Sequence, residues 1–374
     1  MANEDKSARY HRLRRRVSCA DTLLGTLLLL VLLVSGASGA IRAAAASLAH
    51  GSFLPTVIIY VTLLVLMSEA LRLPLALYQE LALERRYGLS RQTMPQWWND
   101  RLKGVVVALV LGTLAAPIVL ALLRWSPDRW WVLAAVVFAG LLIGLAQLAP
   151  IVLMPLFYTF APLERPALVA RLVTLAERAG AQVLGVFEWR LGDRTRKANA
   201  ALAGIGRTRR ILLSDTLLAE HSDDEIEVIL AHELAHHVYR DIWSGIGLEA
   251  VLILAGFAAA DVALTHFSAS FGLAGKDDVA ALPLLLLAAG AVSFVLMPIF
   301  NLFSRAHERR ADRYALEMTR NVDAFVSAMR RLAAQNLAEE HPSWIVEVLF
   351  HTHPSATARI AAAHAWRATH AASR

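Results

Sequence analysis

The chain has 374 residues, 57% of them hydrophobic and only 18% charged, with a mean hydropathy of +0.48. A soluble domain averages about 45–50% apolar and about 25% charged residues, so an ordinary soluble enzyme and a disordered chain are both excluded, and the lone Cys19 excludes a disulfide-stapled scaffold. In so apolar a chain the net charge of +6 reads as the positive cytoplasmic flanks of a membrane protein, with no nucleic-acid partner.

A membrane span needs about 20 mostly apolar residues. Six stretches qualify: Asp21–Ile41, Leu54–Leu77, Gly104–Leu123, Trp131–Phe157, Trp243–Thr265 and Val279–Phe303. The first is too long and lacks the cleavage site of a signal peptide, so it reads as an anchor. Lys6, Arg9, Arg12, Arg14, Arg15 and Arg16 hold the N-terminal tail in the cytoplasm, and Arg85, Arg86, Arg91, Arg101 and Lys103 do the same for the second loop. The other short loops are poor in Lys and Arg and fall outside. Thr159–Ile242 and the C-terminal tail then share the cytoplasmic side. Trp97, Trp98, Trp130 and Trp131 fit an aromatic belt. Glu69, Arg72, Gln147, Glu249 and Asp261 lie within spans, where polar groups face a bundle interior or wet cavity, or snorkel from span ends. Arg72 and Asp261 suit either reading, while the deeper Glu69 and Glu249 read as functional or chamber-lining. Cys19 is a plain interfacial residue, and the basic residues around Arg207–Arg210 suit anionic lipid.

Between the fourth and fifth spans, apolar residues at helical spacing predict an amphipathic helix over Pro166–Ala179, with Gly180 as its C-terminal stop. Val183–Leu191 and Ile211–Leu213 read as strands of a small hairpin or sheet with an exposed edge, and such an edge can bind an extended peptide. Ser222 and Glu225 form a capping box that opens a helix carrying His232-Glu233-Leu234-Ala235-His236. At i and i+4 the two imidazoles share a helix face and suit one zinc ion. Zinc lowers the pKa of a bound water, and the adjacent Glu233 carboxylate can take its proton, which is the chemistry of a metalloprotease. The bland alternative is a helical His pair bonded to carboxylates or solvent.

A catalytic zinc site needs three protein ligands. After the sixth span, Glu308 and Asp312 are again i and i+4: Glu308 suits the third ligand, and Asp312 suits the free ring nitrogen of a ligand His. His237, off the shared face, and His307 are rival ligands. A juxtamembrane helix of internal ion pairs with Arg305, Arg309 and Arg310 is the alternative.

The helix motif followed by Asn301, Arg305, Glu308, Ala311 and Asp312 resembles the integral-membrane zinc metallopeptidases of the CaaX prenyl protease type. So do Glu84–Thr93 with Trp98 and Leu102-Lys103-Gly104, Pro155-Leu156-Phe157 with Pro162-Leu163, Lys197-Ala198-Asn199-Ala200 with the segment to Leu218, and His353-Pro354 with Arg359-Ile360. The resemblance covers about residues 20–365. It implies a mostly α, polytopic membrane protein with a gluzincin-like zinc-peptidase domain on the cytoplasmic side, holding one zinc ion on His232, His236 and Glu308. Within the motif, Glu233 and Asp312 would serve the chemistry. It also implies that Asn199 binds substrate backbone and that His353 and Arg359 bind substrate or the oxyanion. Glycine is usual in the family where Ala235 stands, an aromatic or other residue where His237 stands, and seven spans occur in its eukaryotic members.

The chain divides into a four-span membrane region (1–158), a cytoplasmic segment with the edge strand and motif helix (159–242), two further spans (243–303) and C-terminal helices completing the zinc site (304–374). The expected activity is hydrolysis of peptide or protein substrates at the bilayer, lipidated ones if the prenyl-protease reading holds. A bacterial inner-membrane location with both termini cytoplasmic fits the Ala- and Arg-rich chain. The alternatives are a quality-control protease of the HtpX type and a non-catalytic transporter or scaffold with a degenerate metal site.

Overall fold

The computed structural model describes residues 2–204 and 209–371. Arg207 lies outside the described residues. Among the described residues, six helices are long and apolar enough to cross a membrane: Lys6–Val34, Phe53–Arg86, Met94–Trp125, Trp130–Phe157, Asp241–Phe267 and Val279–Thr319. Their apolar faces stay largely exposed in the isolated chain, as expected of surfaces that lipid covers.

Helix α1 (Ala2–Val34) starts well before the apolar stretch and ends sooner than expected. Gly36 adopts φ +74°, and the chain restarts as α2 (Ala37–Leu48), so Asp21–Ile41 is not one continuous span. Ser38 of α2 bonds to Tyr60 and to the Ala280 carbonyl, each at 2.6 Å, closing the end of the bundle far from His232 and His236. Helix α3 (Phe53–Ala76) runs on through a π-helical Leu77–Leu83, α4 spans Met94–Trp125, and α5 (Trp130–Leu148) continues through a second π-helical turn, Ala149–Leu153. A capping box of Thr93 and Gln96 starts α4.

The intramembrane charges are mostly paired. Arg72 meets Asp21, Glu69 meets Arg101 at 2.5 Å, and Asp261 accepts from Trp130 Nε1 at 2.7 Å and from Lys276 at 2.9 Å. Trp130 and Trp97 are therefore buried hydrogen-bond donors, not belt residues: the Trp97 indole donates to Glu80 at 3.0 Å.

Strand β1 (Thr159–Pro162) and helix α6 (Pro166–Arg178) follow, then β2 (Val186–Arg190), β3 (Ala200–Ala203) and β4 (Arg210–Ser214). The sheet order is β1-β2-β4-β3, with β2 and β4 parallel and both outer strands antiparallel to their neighbours. β3 is thus an edge strand, with Ala200 opposite Leu213. After the short α7 (Asp215–Glu220), the capping box predicted at Ser222 opens α8 (Asp223–Val238). Its apolar side (Ile226, Ile229, Leu230, Leu234) packs into one core with Leu168, Leu172 and Leu175 of α6 and Ile211 and Leu213 of β4. Helices α9 (Asp241–Phe267) and α10 (Leu282–Thr319) form the last hairpin, and α10 continues far beyond its apolar part. Helix α11 (Val322–Gln335) seals the α8 core with Phe325, and α12 (Trp344–Phe350) and α13 (Ala356–Ala371) complete the described chain.

Candidate active site

Helices α8 and α10 pack along each other, and the i, i+4 pairs of the two helices meet. One ligand atom each of His232, His236 and Glu308 falls within 4.8 Å of the others, forming the one such group among the described residues. Glu308 Oε2 lies 3.2 Å from His232 Nε2, and Glu308 Oε1 lies 3.5 Å from His236 Nε2. Yet Glu308 Oε2 is buried with no hydrogen-bond partner. A buried carboxylate oxygen without a donor is costly, and a divalent cation shared with the two imidazoles would satisfy it. Two His and one Glu make the donor set of a catalytic metal site with an open position.

Carboxylates behind each imidazole fix how the rings point. Asp312 Oδ1 is 2.9 Å from His232 Nδ1, and Asp241 Oδ2 is 2.9 Å from His236 Nδ1. Each ring therefore offers Nε2 to the Glu308 side, the arrangement that orients metal-binding histidines. Asp241, buried itself, also meets Arg310. Arg240, just after α8, adopts φ +56°, and the reversed chain brings Asp241 back under His236. Arg359 donates to Asp312 from Nε at 2.8 Å and from Nη2, which is also 3.3 Å from His232 Nδ1. Arg359 thus stands behind His232, on the side away from Glu308. His353 Nε2, by contrast, lies 3.3 Å from Glu308 Oε1, on the cluster itself.

The charges act on each other. Burial alone would lower the His232 pKa, but the Asp312 and Glu308 carboxylates beside it outweigh that and raise it to about 9. Burial pushes the Glu233 carboxyl up from the ordinary range, against the pull of His232 and His236. The Glu233 side chain makes no hydrogen bond among the described residues, which leaves its carboxylate able to take a proton. Burial disfavours the Arg359 charge, yet Asp312 raises its pKa overall.

The rival histidines stay apart from the cluster. The His307 ring lies tilted against Phe303, centroids 4.2 Å apart, and sits 3.7 Å from Asp241, and His237 is not in the group.

Asn199 begins the edge: its N–H donates to Ser214 Oγ at 2.9 Å, and Ala200–Ala203 follows it alongside α8. Asn199 also lines a cavity of about 950 Å³ whose walls include Arg101, Arg194, Lys197, Glu69 and Asp100. The metal-type cluster is not among the lining residues of that cavity. One residue not anticipated from the sequence is Asn336, whose side chain accepts from Ala198 N–H at 2.9 Å and faces the Ala198 carbonyl at 3.4 Å. A neighbour, Gln335, donates to the Arg196 and Thr216 carbonyls at 3.0 and 3.1 Å. Two adjacent amides at a helix end carry no sequence signal of this kind; only the packed chain reveals the clamp.

Comparison with known proteins agrees with this geometry. The profile described as peptidase family M48 matches residues 162–367, and that described as the CAAX prenyl protease N-terminal region, five membrane helices, matches residues 2–159. The chain belongs to peptidase family M48. Among its M48 relatives, the metalloprotease YhfN of Bacillus subtilis is 33% identical over 340 residues, covering 89% of this chain and 79% of that protein. CAAX prenyl protease 1 of Saccharomyces cerevisiae is 26% identical over 329 residues, covering 81% and 71%. The crystal structure of Ste24p from S. mikatae superposes with a TM-score of 0.87 at 24% identity, over 97% of this chain and 89% of that one, so the fold is shared. The protein is an integral-membrane metalloprotease of the CAAX prenyl protease family, with peptide or protein substrates.

Proposed function

We propose that this protein is a zinc endopeptidase that cleaves membrane-associated proteins at the bilayer surface, with its site and both termini in the cytoplasm. The observation that carries the metal assignment is the buried, donorless Glu308 Oε2 between two imidazoles held by Asp312 and Asp241. The residues that would hold the ion are His232, His236 and Glu308. A zinc ion there supplies an acidified water and polarises a carbonyl.

This chain's own groups do the rest. The unpaired side of β3 hydrogen-bonds an extended substrate backbone, with Asn199 at its start. Glu233, raised by burial, accepts the water proton and returns it to the leaving amine. His353 donates to the oxygen that gains charge. Asp312 and Arg359 form a bidentate pair behind His232 and hold that ring in place. The cytoplasmic assignment rests on the many Lys and Arg of the N-terminal tail and the loop after α3.

Prenylated C-terminal segments are the substrate class named by several relatives. A second substrate reading is unlipidated membrane proteins, since the wall of the cavity beside Asn199 carries Arg101, Arg194, Lys197, Glu69, Glu84 and Asp100 among aromatic side chains such as Trp97, Phe157 and Trp189. The test is hydrolysis by detergent-purified protein of a farnesylated C-terminal peptide beside an unlipidated, misfolded membrane protein. Preferential cleavage of the first supports the prenyl-protease role, and preferential cleavage of the second supports quality control. Cleavage of neither, with zinc bound, contradicts the peptidase proposal.

A further inference from the structure

Helix α12 (Trp344–Phe350) lies outside the six spans and leaves an apolar face uncovered. Trp344 is 73% exposed and Ile345 51%. With half-buried Val348 and Leu349 they occupy one arc of the helix, and the single charged residue, Glu347, lies off that arc and approaches Arg305. None of these apolar residues lines the large cavity.

The depth of α12 is fixed from two sides. Its last carbonyls are held by α10: Asn301 Nδ2 donates to Val348 and Leu349 at 3.1 and 2.8 Å, and Arg305 donates to Glu347 and His351 at 2.7 Å. Apart from Glu347, which also accepts from His351 N–H at 3.2 Å, those carbonyls have no helical partner of their own and carry partial negative charge, which an arginine suits. On α10 the exposed apolar stripe of Val295, Ile299 and Leu302 gives way to Arg309, and Arg305 is about 5 Å along the axis from Leu302. From the other side, Arg15 of α1, just before that helix turns apolar, pairs with Glu339, which lies 3.6 Å from His351. Both helices therefore put α12 at the height where hydrocarbon meets headgroups.

We propose that α12 is an interfacial membrane anchor, with Trp344 and Ile345 inserted among the headgroups and upper acyl chains of the leaflet next to the metal-type cluster. Trp favours this layer, and a short amphipathic helix lies flat in it. The chain leaves α12 at His351 and reaches His353 two residues later, so the anchor sets the height of His353 above the bilayer. The anchoring stands apart from the peptidase reading; its effect on cleavage rests on that reading.

The test uses the full chain in vesicles of phosphatidylethanolamine and phosphatidylglycerol. In a Cys19→Ser background, nitroxides are placed through Ile345→Cys, Val295→Cys and Asp323→Cys, and their collisions with oxygen and with a water-soluble nickel chelate are compared. The Ile345 label should be shielded from nickel and accessible to oxygen, closer to the Val295 label than to the aqueous Asp323 label. Nickel access equal to that of Asp323 would overturn the proposal and place the face on water. A second readout is the double substitution Trp344→Glu with Ile345→Glu. KM for a membrane-tethered peptide should rise several-fold while KM for a soluble peptide stays unchanged; an equal rise for both would count against the anchor. A failure of the peptidase reading removes only this second readout.

Discussion

Two carboxylates behind the histidines decide how the cluster works. Asp312 and Asp241 each hold an Nδ1, leaving Nε2 toward Glu308. Replacing either by Asn keeps shape but removes charge, and we expect metal affinity to fall about 10–100-fold, measured by competition with a chromophoric chelator. The protonation of His232 gives a pH signature. Its folded pKa is raised, from an ordinary 6.5 to about 9, so in the metal-free chain it adds stability that is full below 6.5 and lost as pH rises through 9. A metal must displace that proton, so apparent affinity should climb by up to about tenfold per pH unit between 6.5 and 9; a flat titration would contradict the assignment. Most of this cluster was legible, because HExxH spacing and a second i, i+4 acidic pair are local patterns. Asp241 was not: its placement depends on the left-handed Arg240, and an arginine carries no sequence mark of that conformation.

At the scale of elements, the edge strand depends on what clamps the residues before it. Asn336 holds Ala198 through both backbone groups, and Thr216 Oγ1 donates to the Lys197 carbonyl at 2.8 Å. We expect Asn336→Ala to raise KM for peptide several-fold with kcat and bound metal little changed, and Asn336→Asp, which keeps the acceptor for Ala198 N–H, to recover part of the loss. Equal loss of metal would instead indicate general unfolding. The capped helices α6 and α8 and the strand β4 were readable from period and caps. Strand β1 was not, since four residues ending in Pro162 carry no alternation long enough to detect, and the pairing of β2 with β4 is a long-range contact.

At the scale of the molecule, hydropathy alone located the six apolar helices, because backbone polar groups in lipid must be satisfied within each helix. It missed the break at Gly36, where apolar composition continues across a left-handed turn, and the burial of Trp97 and Trp130, where an indole finds a carboxylate inside the bundle. Orientation is a separate expectation. With Cys19 replaced by Ser, a membrane-impermeant thiol reagent added outside intact cells should label His50→Cys and spare Asp323→Cys; the reverse would invert the topology.

The zinc assignment rests on His232, His236 and Glu308 as the residues that would hold the ion, with Glu233 as the base of peptide hydrolysis. Its most direct test is metal content and peptide cleavage measured together on purified wild-type protein and on Glu233→Gln. Both should carry one zinc per chain, with cleavage falling by about 10²–10⁴-fold in the variant. A variant that binds zinc and cleaves at the wild-type rate would contradict it.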